Sequence, residues 1–279
     1  MRADKALVEA GLSPTRSQSS QLIERGCVYY GEQLVEKSSQ KITDLNMLRL
    51  EAAQIYVGRG AFKLVEAQKY FDLSFDSLVA ADVGASTGGF TQVLLEGGAK
   101  KVYAIDVGQD QLDVSLKQDE RVVNLEKTNI RDFPENTKLQ EDVDFVVCDL
   151  SFISLKLCLR AIASLFGNKN SGVLIALVKP QFEVGRNFLG KNGIVKDEHV
   201  VFECLEDICA AAAVESFEFH NACLSPITGK AGNKEFLFYF TKKISDHDGR
   251  SEALSLKKQN IEKWIKIAPQ LRLKWREVV

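Results

Sequence analysis

The chain has 279 residues, 45% of them hydrophobic and 27% charged, with a formal net charge of −2. That composition is ordinary for a globular protein and leaves room for one large domain with a small companion. No run approaches the roughly 20 consecutive apolar residues of a membrane span. The opening Met1-Arg2-Ala3-Asp4-Lys5 leads into no signal-like apolar stretch, so a cytoplasmic protein is expected. The charge is unevenly spread: residues 1–60 carry +1, residues 61–240 carry −8 and residues 241–279 carry +5. Basic ends around an acidic centre fit an anionic partner gripped by peripheral parts, although a lysine-rich tail that merely solvates a helix gives the same count. Cys27, Cys148, Cys158, Cys204, Cys209 and Cys223 form no C-x-x-C pair, and His199, His220 and His247 have no ligand spacing. Buried reduced thiols and no metal site are expected.

The first segment reads as two short helices and a hairpin. Leu7, Val8, Ala10 and Leu12 precede and follow Gly11, a residue suited to a helix C-terminus, and Ser13-Pro14-Thr15 opens a second helix carrying Leu22 and Ile23. Cys27 to Tyr30, a turn at Gly31-Glu32 and Gln33 to Val35 give the hairpin. Arg2, Lys5, Arg16 and Arg25 are candidates for a basic face over the two helices. So small a unit buries little core and must lean on a neighbour or on RNA.

After a connecting stretch near residues 44–57, apolar β-rich runs alternate with helical spacers. The runs are Val79–Val83, Lys101–Asp106, Val122–Leu125, Val143–Cys148 and Val173–Val178; the spacers are Phe90–Glu96, Gln109–Lys117 and Leu155–Phe166. Two last strands near Glu218–Ser225 and Phe236–Thr241 read as a closing hairpin. The pattern predicts an α/β fold, a doubly wound and mostly parallel sheet covered on both faces. Its ligands belong beyond the carboxyl ends of the strands.

The first of these strands runs into Asp82-Val83-Gly84-Ala85-Ser86-Thr87-Gly88-Gly89-Phe90 and then a helix. Glycines there let backbone amides approach a ligand, and Asp106 at the end of the second strand can accept from a ribose diol. The spacing departs from the G-x-G-x-x-G of dinucleotide sites. An acid ahead of the loop suits a zwitterionic methionine moiety, so S-adenosyl-L-methionine is the expected cofactor. Four ionisable residues sit at element ends: Lys63 in a helix start, Asp149 and Lys179 after strands, and Glu235 before the last one. Charges at the ends of apolar strands are costly unless paired. Pro180 holds Lys179 extended, and Lys179 is the candidate for steering or deprotonating the acceptor hydroxyl. Burial and Lys63 favour its neutral form while Asp149 and Glu235 oppose it, so both roles stay open. Residues 183–193 read either as a flap whose Arg186 and Lys191 meet phosphates or as a solvated loop.

The first segment resembles the S4 RNA-binding domain. Arg2, Asp4, Leu7, Val8, Gly11, Leu12, Arg16, Leu22, Ile23, Gly26, Val28 and Gly31 stand at its motif positions, with Ser19 where alanine is usual. The remainder resembles the FtsJ-like ribose 2′-O-methyltransferases: Lys63, Asp149, Lys179 and Glu235 follow the order of their K-D-K-E tetrad. Strings at residues 58–60, 82–90, 128–131, 149–154, 177–183 and 225–229 are similar to those of the TlyA group, often labelled haemolysin A. Gly58 replaces a commoner serine, and Asn129 stands where relatives have an acid contacting the adenine.

The resemblance covers residues 1 to about 242. It implies an S4-like domain with linker over 1–57, a Rossmann-like methyltransferase domain with a seven-stranded mixed sheet over 58–243, and a helical extension over 244–279. It also implies a donor site of Asp82, Gly84, Ser86, Gly88, Gly89, Phe90, Asp106, Asn129 and Ile130, with Arg59 joining the RNA contacts. The implied substrate is ribosomal RNA or a ribosomal subunit, methylated on a cytidine 2′-hydroxyl, most plausibly in the large subunit. The missing prolines in Asp149-Leu150-Ser151-Phe152 argue against an exocyclic-amine methyltransferase. The remaining alternative is a non-catalytic ribosome-assembly factor with a retained donor pocket; a pore former finds no support in the sequence.

Overall fold

The computed structural model describes residues 1–24, 26–50, 56–133, 139–167, 169, 171–243 and 249–277. At the start, α1 (Ala3–Glu9) and α2 (Arg16–Glu24) pack against a three-stranded antiparallel sheet of β1 (Val28–Tyr30), β2 (Gln33–Leu34) and β3 (Leu48–Leu50), in the order β2-β1-β3. Ala3, Ala6, Leu7, Ile23, Val28, Val35, Ile42 and Leu48 form its small core. The strand β3 lies in the stretch that the sequence marks only as a connector. Its three residues, Leu48-Arg49-Leu50, are too few for a period to declare itself, and pairing with β1 fixes them.

The larger unit holds a seven-stranded sheet. Its strands are β4 (Val79–Val83), β5 (Lys101–Ile105), β6 (Val122–Leu125), β7 (Phe145–Cys148), β8 (Gly172–Val178), β9 (Phe217–Leu224) and β10 (Phe236–Lys242). The order is β6-β5-β4-β7-β8-β10-β9, with β10 antiparallel to both neighbours and β4 to β8 pairing in parallel. Strand order reverses at β4, which has β5 on one side and β7 on the other. The parallel strands are apolar at every inward position, as sheets buried on both faces require.

One face is covered by α3 (Ala61–Phe71) and α4 (Gly89–Glu96) through Leu64, Ala67, Val93 and Leu94. The other face carries α6 (Leu159–Leu165), α8 (Glu198–Val214) and the C-terminal α9 (Gly249–Glu277). In α9, Trp264 is buried against Phe202, Phe219 and Phe238 at ring distances of 6.0, 6.1 and 5.6 Å.

Two helical expectations shorten. Only α5 (Val114–Lys117) forms within 109–117, because the Glu126 carboxylate accepts from the backbone of Asp110, Gln111 and Leu112 and holds them as a loop. The 155–166 segment is a 3-10 turn, Leu155–Leu157, followed by α6, since Ser154 and Glu183 fix its first residues.

The two units touch closely. Gly26 adopts φ +71, and a Cβ there would meet Phe62 Cε2 at 1.9 Å, so only glycine lets the chain pass α3. The Arg59 amide donates to Glu24 O (2.8 Å), and its guanidinium donates to Glu36 O (2.9 Å). The Glu36 carboxylate accepts from Thr228 Oγ1 (2.8 Å) and more weakly from its amide.

Asn260 ties α9 to the sheet. Its Oδ1 accepts from Phe219 N, and its Nδ2 donates to Cys209 O and Phe217 O, all without access to water. Asn260→Ala strands three buried backbone groups and is expected to lower stability by about 3 kcal/mol in urea unfolding. Lys258→Ala, at a side chain 81% exposed, should change it by less than about 0.5 kcal/mol.

Candidate active site

At the carboxyl edge of the sheet, four charged side chains from four elements meet in a line. Lys63 stands one turn into α3, Asp149 directly follows β7, Lys179 directly follows β8 and Glu235 directly precedes β10. Lys63 Nζ donates to Glu235 Oε2 at 2.8 Å and to Asp149 Oδ2 at 3.2 Å. Lys179 Nζ lies 2.5 Å from the other Asp149 oxygen and donates to Ser151 Oγ at 2.7 Å. Lys63, Lys179 and Glu235 are buried, while Asp149 retains partial exposure.

Burial opposes the charge on Lys63, yet Asp149 and Glu235 outweigh it and hold the ammonium above its ordinary range. Burial likewise opposes ionisation of Asp149, and Lys63 with Lys179 outweigh it and keep the carboxyl below its ordinary value. The charges are tolerable inside the protein because each has an opposite partner.

The short helix α7 (Pro180–Glu183) begins at once after Lys179, with Pro180 in its first turn. Glu183 reaches back to accept from Ser154 Oγ (2.5 Å) and the Leu155 amide (2.7 Å), so it fixes the 149–155 loop against the Lys179 segment. Burial raises its pKa above the ordinary value. Between these anchors sits Phe152, at φ +65 and 90% exposed, its ring 5.2 Å from that of Phe182. A phenylalanine held in the left-handed region and turned to solvent is conformationally costly. Neither Ser151, Phe152 nor Glu183 was singled out by sequence; the left-handed backbone at Phe152 has no sequence signature.

Beside the tetrad lies the glycine loop. Gly84 takes φ +88, and a Cβ there would meet Asp149 O at 2.6 Å, so the loops after β4 and β7 are in backbone contact at the strand-order switch. Ser86 donates its amide to Asp106 Oδ2 (2.8 Å), and Gly108 donates to Oδ1 (2.6 Å). Asp106 thus orders the loop and keeps lone pairs for a diol. Gly88 and Gly89 open α4.

Asp82 is buried. Its Oδ2 accepts from the Thr91 amide and hydroxyl at 2.9 and 2.8 Å, and its Oδ1 has no partner among the described residues. Burial pushes its pKa up to about 7. That orphaned oxygen is the acceptor that a ligand ammonium, through a water, would satisfy. Together with the Gly84 cradle and Asp106, it fits the methionine and ribose parts of S-adenosyl-L-methionine. Val107, next to Asp106, exposes its apolar side chain, which sequence reading passed over.

Other expected site residues sit differently. Phe90 faces the core between the sheet and α3, and Ile130 is buried in the opposite core. Asn129 is exposed and caps a 3-10 turn by accepting from the Arg131 amide. Arg2 and Arg16 converge on the buried Asp4, at 3.0 and 2.6 Å, which cancels part of the basic face; they hold its carboxyl at about 2. Lys5, Arg186 and Lys191 are exposed, Arg59 is committed to the junction with Glu36, and Arg25 lies outside the described residues. The 185–194 loop is anchored at its end: buried Asn233 accepts from the Val195 amide and donates to Gly193 O. Among the described residues no cluster of metal-ligating side chains occurs.

Comparison with known proteins places these observations. Residues 56–242 match the family described as FtsJ-like methyltransferase, and residues 1–46 match the S4 domain. The chain is 41% identical over 239 residues to YqxC of Bacillus subtilis, named as a candidate rRNA methyltransferase, covering 85% of this chain and 84% of that one. It is 37% identical over 242 residues to the 16S/23S rRNA (cytidine-2′-O)-methyltransferase TlyA of Mycobacterium tuberculosis, covering 85% and 88%. A solved structure titled as a candidate hemolysin of Streptococcus thermophilus superposes with a TM-score of 0.67 at 36% identity, over 95% of this chain and 97% of that one.

The buried Asp82 supplies a pH test. Its carboxyl is raised from 3.8 to about 7 in the folded chain, so its contribution to stability is complete below pH 3.8 and lost as pH rises to about 7. The stability of wild type minus that of Asp82→Asn should therefore fall by a few kcal/mol between about pH 4 and 7 and then level off. Asp4, Glu126 and Glu218, all held at about 2, act in the opposite sense at low pH and cancel in the difference. Urea unfolding across this range makes the measurement; a flat difference contradicts the assignment.

Proposed function

The chain belongs to the FtsJ-like methyltransferase family, in its TlyA (haemolysin A) group, and we propose on that premise that it methylates a ribose 2′-hydroxyl of ribosomal RNA. The observation that carries the proposal is the Glu235–Lys63–Asp149–Lys179 chain of ion pairs beside the Gly84 loop. S-adenosyl-L-methionine, the donor of this family, supplies an electrophilic methyl group on a sulfonium. For its acceptance, a hydroxyl must lie in line with that methyl, and positioning alone supplies up to about 7–11 kcal/mol in well-oriented reactions.

Lys179 is the tetrad member assigned to the hydroxyl. Its Nζ is held by Asp149 and Ser151, so its direction is set before substrate arrives. Asp149 is steadied in turn by Lys63, and Lys63 by Glu235. As the new O–CH3 bond forms and the S–CH3 bond breaks, the hydroxyl proton leaves on the side of Lys179. Phe152, exposed beside Ser151, offers a face on which the base of the target nucleotide stacks once it leaves its helix. The cytidine named for the mycobacterial relative is the expected base.

RNA capture falls to the S4 unit and the 185–194 loop. Lys5 and the outward parts of Arg2 and Arg16 face solvent on one, and Arg186 and Lys191 on the other. Arg25 and Arg59 extend the set, with Arg59 also joining the units. Asn129 and Ile130 border the adenine end of the donor site, where Val107 packs. Phe90 supports the site from the core.

Transfer of labelled methyl from S-adenosyl-L-methionine to ribosomal RNA tests the assignment. Lys179→Ala should lose at least about a hundredfold in turnover, while donor affinity by calorimetry stays within about twofold. Retained turnover removes Lys179 from the reaction. Phe152→Ala should raise KM for RNA and slow turnover by about tenfold, in keeping with base–aromatic stacking of about 1–3 kcal/mol, and leave donor affinity unchanged. An RNA-binding assembly factor would instead show donor affinity without any methylated product.

A further inference from the structure

Residues 249–277 fall outside the span matched to the methyltransferase family, and their far end lies beside the tetrad's supports. Lys234 immediately precedes Glu235. Its ammonium donates to the carbonyl oxygen of Trp275 in the last turns of α9 and lies 4.4 Å from the centre of the Trp275 ring. Neighbouring side chains thus reach opposite ways: Lys234 to α9, and Glu235 to Lys63. Burial draws the Lys234 ammonium below its ordinary value, so the contact is partly shielded from water.

The same stretch of α9 touches two more supports. The Lys274 ammonium lies 5.3 Å over the ring of Tyr70, on the helix α3 that carries Lys63. Arg272 and Arg276 pair with Glu198 in the first turn of α8, at 3.1 and 2.7 Å, and the Arg272 guanidinium stacks 4.4 Å over Phe202. Upstream, Trp264, Ala268 and Leu271 sit in the core, so the end of the helix projects from a fixed base.

We propose that the end of α9 is a brace for the active site: Trp275 clamps Lys234 and so fixes the Glu235 carboxylate on which Lys63 and Asp149 are aligned. Lys234 and Trp275 are positioning residues, since neither touches Lys63, Asp149 or Lys179. The inference rests on the tetrad being the methyl-transfer machinery. A pinned Lys234 limits rotation of the backbone that delivers Glu235. A shift of about 1 Å in a reacting geometry is enough to cost up to a hundredfold in rate. The clamp also combines a charge-assisted hydrogen bond with a cation–π contact, which only a ring at position 275 supplies in full.

The test uses full-length variants assayed well below their melting temperatures, with methyl transfer to ribosomal RNA as the readout. Trp275→Ala and Lys234→Met should each lower kcat about tenfold, with donor affinity and the KM for RNA within about twofold. The double variant should be no slower than the worse single one, because both remove one interaction. Trp275→Phe, which keeps a ring, should recover most of the rate. Wild-type kcat in Trp275→Ala, or losses that multiply in the double variant, would overturn the brace. Lys179→Ala run alongside separates the two readings: if it stays active the tetrad assignment fails, whereas a dead Lys179→Ala with an unimpaired Trp275→Ala sinks the brace alone.

Discussion

Everything in this protein's active edge depends on one buried line of alternating charges, Glu235, Lys63, Asp149 and Lys179. Removing any one leaves a neighbour charged and unpartnered where water does not reach, a cost of several kcal/mol. The line therefore acts as a geometric constraint. It can form only when α3, the ends of β7 and β8 and the start of β10 stand in fixed relation. The doubly wound sheet supplies that relation, since β7, β8 and β10 are consecutive in it and α3 crosses above their carboxyl edge. Gly84 completes it by allowing the donor loop to press on the Asp149 carbonyl.

Around that line the supports are layered. Glu183 fixes the loop that presents Ser151 and Phe152, and Asn233 fixes the end of the 185–194 loop. Glu36 and Arg59 join the RNA-binding unit to the segments leading into Lys63 and Glu235. Binding at the small unit is thereby mechanically continuous with the reacting residues. The name haemolysin attached to similar proteins has no counterpart in a membrane span here: among the described residues no helix is long and apolar enough to cross a bilayer.

Much of the architecture was legible in the sequence because burial on both faces writes itself as uninterrupted apolar runs. The strands at Val79, Lys101, Phe145 and Gly172 announce themselves in that way, and each ends in a residue that the site uses or abuts. The tetrad was legible for the complementary reason, that an ionisable residue at the end of an apolar strand needs an explanation. Legibility stopped where structure rests on one long-range contact. Glu126 prevents a helix over 110–112, Asp4 draws Arg2 and Arg16 together, and Leu48–Leu50 become a strand only by pairing with β1. Phe90 and Ile130 belong to a motif yet point into cores, because the helix and turn that carry them use those positions for packing.

The central claim is that this chain places a methyl group on a ribose of ribosomal RNA. Ribose-methylation mapping of ribosomal RNA from cells with the gene, without it, and with the Lys179→Ala form tests it most directly. The account predicts one or more 2′-O-methylated cytidines that vanish in both altered strains and return with the intact gene. An identical map in all three would contradict it.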